Sequence, residues 1–224
     1  MAKDFSNQKV VDGYDDHIRK LIPGYELIHQ NVHAILKQYL SENAHIVVVG
    51  CGTGYELQYL SETFPQWKFT AIDPSLNMIE KAKALCNQHN AQHKIEFIHA
   101  DSQILKQYPA KFDAALSILV SHFVDFQSKA QFFSDIAQSL KNQGILLSYD
   151  LMKIHDQNEI NILKNLVQEI GLTIQQSENM AQRLVDDFYL ISTEELQELF
   201  NKSGFSSAQS FMQVLNYYGW IAKK

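Results

Sequence analysis

The sequence predicts an α/β fold, a doubly wound and mostly parallel sheet, and three observations lead to this prediction. Short apolar runs alternate with segments of helical periodicity between residues 45 and 150. The first apolar run ends in a loop that holds three glycines, Gly50, Gly52 and Gly54. The four prolines, at positions 23, 65, 74 and 109, all fall where one element is expected to end. Alternating strands and helices of this kind are typical of βαβ units with right-handed crossovers.

Composition places the chain among single-domain globular proteins. Its 224 residues are 46% hydrophobic, which is enough to bury a sizeable core without disulfides. A net charge of −6 disfavours tight, non-specific binding to nucleic acid. The two cysteines, Cys51 and Cys86, match neither a disulfide framework nor a metal-ligand spacing, so no metal is expected. Because no apolar run of about 18 residues and no leader-like start occurs, we expect a cytoplasmic protein that does not span a membrane.

The predicted sheet has five parallel strands followed by an antiparallel C-terminal hairpin. The parallel strands are the apolar runs at residues 45–49, 67–72, 94–99, 112–118 and 144–149. Helices are expected between them at residues 55–64, 75–88 and 129–140, with Ser75 as an N-cap. The weakly alternating segments 205–213 and 215–222 are expected to pair as terminal strands, which brings the sheet to seven strands.

Two helical regions lie outside this alternation. Residues 12–21 and 25–40 are expected to form helices around the Pro23-Gly24 turn, within an N-terminal helical lid at residues 1–43. Residues 156–183 are mostly helical, and a further helix follows at residues 193–202. The segment 151–191 is therefore predicted to be a helical insertion after the fifth strand, covering the carboxyl edge of the sheet where ligands bind in open α/β folds. The whole chain, residues 1–224, is one domain.

Three features at successive strand ends carry chemical information. The glycines of Val47-Val-Val-Gly-Cys-Gly-Thr-Gly54 allow a ligand to approach the backbone at a helix N-terminus. Asp73 follows Gly50 by 23 residues, near the spacing of an acid that binds a ribose diol. Asp101 and Ser102 end the third strand, where a carboxylate can accept from an adenine amine. The alternatives are a tight turn for the loop and helix capping for each aspartate. A nicotinamide dinucleotide fits less well, because Tyr55 stands where its third glycine would fall.

This combination resembles the class I S-adenosylmethionine (SAM)-dependent methyltransferase family over about residues 45–150. The resemblance implies a Rossmann-like fold, with residues 1–224 as a single methyltransferase domain and SAM as the cofactor. Its cofactor contacts in this chain are the loop residues Gly50, Cys51, Gly52 and Gly54 with Asp73 and Asp101, and the resemblance described next adds Tyr25, Pro74, Ser102 and Ile118.

A second resemblance covers almost the full length of the chain. The opening Tyr14-Asp-Asp-His-Ile-Arg-Lys-Leu-Ile-Pro-Gly-Tyr25 and the ending from Lys202-Ser-Gly-Phe205 are similar to the carboxy-SAM synthase branch, which acts in wobble-uridine modification of tRNA. That branch has an asparagine where this chain has Ile118, and an arginine that clamps the extra carboxylate where this chain has Leu199. Because leucine cannot pair with a carboxylate, we expect plain SAM and methyl transfer here.

His122 and Asp150 are the candidate catalytic residues. His122 follows the fourth strand, near the expected methyl position, and an ordinary histidine pKa near 6.5 suits a general base. Asp150, at the end of the fifth strand, is expected to orient an acceptor hydroxyl or amine. The alternatives are a structural histidine bonded to a backbone carbonyl and an aspartate that caps a helix. Aromatic and methionine side chains of the insertion, namely Met180, Phe188, Tyr189 and Leu190, are candidates for lining an acceptor pocket.

The expected function is methyl transfer from SAM to a small-molecule acceptor by in-line displacement. Two alternatives remain: a tRNA-modification enzyme of the carboxy-SAM synthase type, and a SAM-binding module without turnover. The acceptor atom, O, N, C or S, is not fixed by these residues, because all such enzymes share the SAM half of the site. Nucleic acid and membrane partners are not expected, and a homodimer is compatible with the sequence.

Overall fold

The computed structural model describes residue 5 and residues 7–224, except for the side chain of Gln92. Residues 1–4 and 6, which belong to the predicted N-terminal lid, lie outside the described residues. Seven strands form one sheet: β1 (His45–Val49), β2 (Lys68–Asp73), β3 (Ile95–His99), β4 (Phe112–Ile118), β5 (Leu140–Leu151), β6 (Ser207–Val214) and β7 (Tyr217–Lys223).

The strand order is β3-β2-β1-β4-β5-β7-β6, which confirms the predicted doubly wound sheet. Strands β1 to β5 pair in parallel, and β7 pairs antiparallel with both β5 and β6. Because β2 and β4 lie on opposite sides of β1, the winding direction reverses between β1 and β4. In open α/β sheets the crevice at the carboxyl ends of the strands around such a reversal is where ligands bind.

Nine α-helices surround the sheet within the described part of the chain: α1 (Gln8–Asp12), α2 (Tyr14–Leu21), α3 (Tyr25–Tyr39), α4 (Tyr55–Thr63), α5 (Leu76–Gln88), α6 (Lys129–Ser139), α7 (Gln157–Ile170), α8 (Ile174–Asp186) and α9 (Thr193–Lys202). The predicted helix at 12–21 begins at Tyr14 instead, because Gly13 separates α1 from α2. The predicted helical stretch 156–183 is two helices, because Gly171 adopts a φ of 127° between α7 and α8.

The core occupies both faces of the sheet, as expected for parallel strands. Along β1, Ile46 and Val48 point to the face that packs against α3, α4, α5, α7 and α8. Val47 and Val49 point to the opposite face, which α6 and α9 cover. All four side chains are at most 3% exposed, which explains the unbroken apolar sequence of this strand.

Local capping fixes several helix starts near the carboxyl edge of the sheet. The Ser75 hydroxyl accepts from the backbone N–H of Met78, which makes Ser75 the N-cap of α5 as predicted. Ser192 and Glu195 form a capping box at the start of α9. No helix of the described residues is both long enough and apolar enough to cross a bilayer.

Candidate active site

The conformation of the glycine loop depends on main-chain hydrogen bonds and on glycine at a position where a Cβ would clash. The N–H groups of Gly50 and Cys51 both donate to the carbonyl of Ile72, at 2.8 and 3.0 Å. Gly50 has a φ of 72°, and a Cβ there would lie 2.5 Å from the Val120 side chain. Such a distance is well inside van der Waals contact, so glycine is required at this position by both space and backbone conformation.

Gly52 has a different reason to be glycine. Its φ is 52°, but a Cβ at this position would meet no protein atom within 4 Å. Gly52 borders a cavity of about 370 Å³ that also contacts Gly50, which we call the glycine-loop cavity. The absence of a side chain therefore leaves room for a ligand to approach the backbone there.

The Asp73 carboxylate joins the glycine loop to the start of α5. Its Oδ2 accepts from the Gly52 N–H at 2.9 Å, and its Oδ1 accepts from the Ser75 N–H at 2.8 Å. Burial raises the pKa of Asp73 above its ordinary value, although these two hydrogen bonds oppose the shift. Each carboxylate oxygen has a second lone pair, so Asp73 can still accept from a ligand hydroxyl.

Asp101 lies at the carboxyl end of β3 and is exposed at the cavity. Its Oδ1 accepts from the Gln103 N–H at 2.9 Å, and it caps the short 3₁₀ helix Ser102–Gln107. The Asp101 carboxylate can therefore cap the 3₁₀ helix and accept from a ligand at the same time, since Oδ2 and the second lone pair of Oδ1 are available.

The glycine-loop cavity brings together the three strand-end features of the sequence. Its walls include seven of the ten predicted cofactor contacts: Gly50, Gly52, Asp73, Pro74, Asp101, Ser102 and Ile118. Tyr25 and Cys51 line a smaller adjoining cavity of about 30 Å³. Gly54 is placed elsewhere: it is the N-cap of α4, and a Cβ there would lie 2.9 Å from the Cα of Ala82 in α5.

His122 and Asp150 form a buried hydrogen-bonded pair. His122 lies in the 3₁₀ turn Ser121–Phe123, directly after β4, and its Nδ1 donates to Oδ1 of Asp150. The backbone N–H of His122 also donates to Oδ2 at 3.2 Å, and the Leu151 N–H donates to Oδ1 at 2.9 Å. A carboxylate acceptor requires the proton on Nδ1, which leaves Nε2 of the neutral ring as a proton acceptor.

Asp150 contacts His122 and lines neither cavity. Its side chain is 0% exposed, so the expectation that it orients an acceptor directly is corrected: it orients the imidazole. Burial raises the pKa of Asp150, but the charge of His122 and hydrogen bonds from His122, Ser121 and Leu151 outweigh it and hold the pKa below the ordinary value. The carboxylate therefore stays ionised at neutral pH.

A second cavity, of about 250 Å³, lies against His122, and we call it the His122 cavity. Most of its walls are apolar, and α2 and α8 contribute many of them. It shares four wall residues with the glycine-loop cavity: Phe5, Tyr14, Leu119 and Phe123. Leu119 has a φ of 60°, which is uncommon for a side chain other than glycine and is often found at functional sites. The two cavities therefore adjoin at the carboxyl ends of β4 and β5.

The insertion supplies part of the His122 cavity. Met180 and Phe188 line it, as the sequence suggested, and the Phe188 ring centroid lies 4.6 Å from that of His122. Tyr189 is 40% exposed instead, with its ring against Phe126, and Leu190 is not among the residues that line the cavity.

Arg183 is a cavity residue that the sequence did not reveal. It lies on α8, its guanidinium carbon is 5.2 Å from the Phe188 ring centroid, and its Nε pairs with Asp187 at 3.0 Å. Among the described residues that line the His122 cavity it is the only one with a permanent charge. Nothing in the local sequence distinguishes it from a solvated arginine on a helix surface.

Leu199 lies away from both cavities. It is on α9 and packs against the core on the face that α6 covers. Within this chain position 199 lines neither cavity, and the expectation drawn from the missing arginine stays a prediction. The guanidinium that does reach the His122 cavity comes from Arg183.

Comparison with known proteins finds a matching domain model and relatives of similar length. A model described as a methyltransferase domain matches residues 46–144, the part of the chain that contains the glycine loop, Asp73, Asp101 and His122. Residues 46–144 are therefore similar to the methyltransferase domain of SAM-dependent enzymes. The cofactor of this chain is SAM, and the protein is an enzyme.

Two relatives named carboxy-S-adenosyl-L-methionine synthase are similar over nearly the full length. The one from Campylobacter hominis is 26% identical and aligns with 97% of this chain and 93% of its own length. The one from Desulfotalea psychrophila is 25% identical and aligns with 100% and 93%.

Solved structures share the methyltransferase fold. An O-methyltransferase family protein from Burkholderia thailandensis superposes with a TM-score of 0.68 at 14% identity, over 98% of this chain and 61% of that protein's length. A 1,6-didemethyltoxoflavin N1-methyltransferase from the same organism, solved with S-adenosylhomocysteine, superposes with a TM-score of 0.62 at 18% identity. It covers 94% of this chain and 86% of that chain.

The residues of this methyltransferase fit SAM. The glycine-loop cavity has a size typical of small-molecule sites, and the open space above Gly52 and the exposed carboxylate of Asp101 lie on its walls. No cluster of three metal-ligating side chains occurs among the described residues.

Proposed function

We propose that this methyltransferase transfers a methyl group from SAM to a small acceptor bound in the His122 cavity, with His122 as the general base. The observation that carries the proposal is the His122–Asp150 pair, whose histidine lines an apolar cavity adjoining the glycine-loop cavity. A buried carboxylate that fixes one imidazole nitrogen and leaves the other free is an arrangement that suits proton abstraction.

The residues of the chain would align the acceptor and accept its proton. When bound, SAM supplies a methyl group that the positive sulfur makes electrophilic. The walls of the His122 cavity would hold the acceptor atom in line with this group for its transfer, which would leave S-adenosylhomocysteine. The proton of an acceptor O–H or N–H passes to Nε2 of His122, and the ionised Asp150 stabilises the resulting imidazolium.

Two covers would exclude water from this reaction. The N-terminal helices of residues 1–43 contribute Ile18 and Ile22 to the His122 cavity, and the insertion of residues 151–191 contributes Met180 and Leu184. Asp15 holds the first cover in place, because it accepts from the Thr53 hydroxyl at 2.5 Å and pairs with Lys81 at 2.8 Å. We infer that both covers move when ligands enter, as lids do in many enzymes.

The walls indicate the kind of acceptor. A cavity of about 250 Å³ with mostly apolar walls suits a small molecule with an apolar body and not a polynucleotide. Arg183 would pair with an anionic group on that molecule. The ring centroid of His122 lies 4.6 Å from that of Phe188, and the guanidinium carbon of Arg183 lies 5.2 Å from the same centroid. The two groups therefore flank one aromatic ring, and a single-ring molecule with a hydroxyl and a carboxylate would be able to contact both.

The test is turnover with a panel of single-ring hydroxy acids and the matching phenols, followed by mass spectrometry of S-adenosylhomocysteine and of the methylated product. We expect the His122→Asn variant to bind SAM with unchanged affinity and to lose about 10²- to 10⁴-fold in kcat. The control is His89→Asn, since His89 is exposed and pairs with Glu62 far from both cavities. Full activity of His122→Asn would disprove the role of His122, and an Arg183→Leu variant that binds acids as well as the wild type would disprove that of Arg183.

A second candidate is the formation of carboxy-SAM. Two observations favour it: relatives of that name align with nearly the whole chain, and the Arg183 guanidinium lies in the cavity next to the glycine loop, where it could pair with a carboxylate on the cofactor. Mass spectrometry of the ligand that copurifies with the protein distinguishes the two candidates. A carboxylated SAM, lost from the Arg183→Leu variant, would replace the methyl-transfer proposal, whereas SAM or S-adenosylhomocysteine would support it.

A further inference from the structure

One face of α8 lines the His122 cavity with polar side chains. Gln176, Asn179 and Arg183 all lie on the cavity wall, with Met180 and Leu184 of the same helix beside them. The spacing i, i+3, i+7 keeps the three polar residues on one side of a helix. At a rise of about 1.5 Å per residue, they span roughly 10 Å of the wall. The helix therefore presents a row of three polar side chains, which we call the α8 strip.

The oxygens of the α8 strip already accept hydrogen bonds from the protein. Oε1 of Gln176 accepts from the backbone N–H of Thr173 at 2.8 Å, in the capping box of α8. Oδ1 of Asn179 accepts from the side chain of Gln175 at 3.0 Å. Arg183 carries donors and no acceptor. The NH₂ groups of both amides and of the guanidinium therefore remain to donate to a ligand.

The rest of the cavity favours a ligand that is polar on one side. Among the described residues that line it there is neither aspartate nor glutamate, so no carboxylate competes for the donors of the strip. The wall formed by α2 and the residue after it is mostly apolar, through Ile18, Leu21 and Ile22, and also carries Tyr14 and His17. A ligand is therefore expected to place hydrogen-bond acceptors against α8 and an apolar face against α2.

The two ends of the α8 strip differ in depth. Arg183 is half-buried beside Phe188, whose ring also packs against His122. Gln176 and Asn179 are exposed at the other end. An anion paired with Arg183 therefore lies near the turn that carries His122, and the two amides are placed for a second group that lies farther toward solvent.

We propose that the α8 strip selects acceptors with two carboxylate or carbonyl groups, one held by Arg183 and the other by the amide N–H groups of Gln176 and Asn179. This inference rests on the function proposed above, because it takes the His122 cavity as the acceptor site, but it does not require His122 to be the base. A single-ring dicarboxylate with a hydroxyl is the simplest such molecule. The competing interpretation is that the two amides only brace the start of α8.

The experiment is calorimetry with two ring acids that differ by one carboxylate, meta-hydroxybenzoate and 5-hydroxyisophthalate. Each is titrated into wild-type protein saturated with S-adenosylhomocysteine. We expect the dicarboxylate to bind at least about tenfold more tightly than the monocarboxylate, the effect of one added charge-assisted hydrogen bond. Equal affinities for the two acids would overturn the proposal without the need for any variant.

Gln176→Glu tests the outer end of the strip. Glutamate keeps the capping box, since its carboxylate can accept from the Thr173 N–H, but it replaces the donating NH₂ with a negative charge. We expect the affinity for 5-hydroxyisophthalate to fall at least about tenfold and that for meta-hydroxybenzoate to change by less than about threefold. Gln157→Glu, in the first turn of α7 and on the wall of neither cavity, is the matched control. An equal loss for both acids, or no loss, would overturn the proposal.

These titrations separate the proposal from the proposed reaction. None of them requires turnover, so a protein that prefers the dicarboxylate and loses this preference in Gln176→Glu supports the α8 strip whatever the outcome of the turnover assay. A protein that binds the monocarboxylate without preferring the dicarboxylate overturns the α8 strip alone. Failure of both acids to bind overturns it together with the acceptor class proposed above.

Discussion

The Nδ1 atom of His122 and the Oδ1 atom of Asp150 are hydrogen bonded although 28 residues separate the two in the chain. Parallel pairing of β4 with β5 makes this contact possible, because it brings the carboxyl ends of both strands to the same edge. Ile118 pairs with Tyr149, so the turn after β4 lies beside the last residues of β5. The pair is thus a direct product of the sheet register.

Replacing Asp150 with asparagine tests the pair. The amide has the same shape but no charge, so it cannot stabilise an imidazolium and no longer enforces one tautomer. We expect kcat to fall by about 10²-fold or more while the Kd of SAM, measured by calorimetry, stays within a factor of about two. Asp150→Asn at wild-type activity would contradict the general-base role of His122. Glu62→Gln, on the exposed side of α4, serves as the control.

Alanine at two glycines of the same loop should separate binding from stability. At Gly54 a Cβ would press on the backbone of α5, at 2.9 Å from the Ala82 Cα, so Gly54→Ala should lower the melting temperature by several degrees. At Gly52 a Cβ would meet no protein atom, so Gly52→Ala should lose only the roughly 1 to 2 kcal/mol of a left-handed backbone. Its main effect should be on SAM, with affinity at least about tenfold weaker in calorimetry. Equal SAM affinities for the two variants would argue against a ligand at Gly52.

Alanine at Asp101 and at Asp73 should also separate SAM binding from stability. Asp101 is exposed, and only the Gln103 N–H loses an acceptor when it becomes alanine. If it accepts from bound SAM, Asp101→Ala should weaken binding by about tenfold to hundredfold, the equivalent of a charged hydrogen bond, with little change in melting temperature. Asp73→Ala should lower both the SAM affinity and the melting temperature, because the buried N–H groups of Gly52 and Ser75 lose their acceptor. Undiminished SAM affinity in Asp101→Ala would remove that residue from the site.

The His29–Glu56 pair should make stability depend on pH. Burial lowers the pKa of His29, but the hydrogen bond and charge of Glu56 outweigh it, so the pKa lies above the ordinary value of about 6.5. The Nε2 atom lies 2.8 Å from Glu56, and Nδ1 lies 2.7 Å from the Tyr25 carbonyl, so both nitrogens are placed to donate. A raised folded-state pKa gives stability that is complete below about pH 6.5 and is lost as the pH rises through that folded-state value.

Urea unfolding of Glu56→Gln between pH 5.5 and 9 measures this dependence. We expect the loss of unfolding free energy to be about 1.5 to 3 kcal/mol at pH 5.5 to 6 and to shrink at higher pH. The comparison is Glu62→Gln, which removes the exposed ion pair with His89 and should change the free energy by less than about 1 kcal/mol. A loss that grew with pH would mean that His29 is neutral in the folded protein.

Much of the fold follows from local pattern, because each buried strand of a parallel sheet must be apolar on both faces. The strand Phe112–Ile118 and the helix Thr193–Lys202 begin and end where the sequence predicts. The sequence also predicts that the glycine loop, Asp73 and Asp101 lie close together, because strand ends that are separate in the chain meet at one edge of the sheet. All three line the glycine-loop cavity. The break between α7 and α8 at Gly171 was not predicted, because a single glycine in a polar helical pattern does not reveal whether the helix continues.

The acceptor side of the site was less predictable. Arg183 and Phe188 belong to an insertion whose orientation depends on packing against α2 and the sheet, and no local signal encodes that. His122 and Asp150 were both singled out, but their hydrogen bond depends on the turn after β4. Leu199 packs against the core and lines neither cavity of this chain, because an offset along a helix does not say which cavity the helix faces.

The wall that the two cavities have in common has a thermodynamic consequence. Phe5, Tyr14, Leu119 and Phe123 each contact both spaces, so a rearrangement made by one ligand alters the surface presented to the other. Any factor by which SAM changes acceptor affinity must then equal the factor by which the acceptor changes SAM affinity. With SAM in one cavity and the proposed acceptor in the other, replacing one of these four side chains should change both of these factors equally.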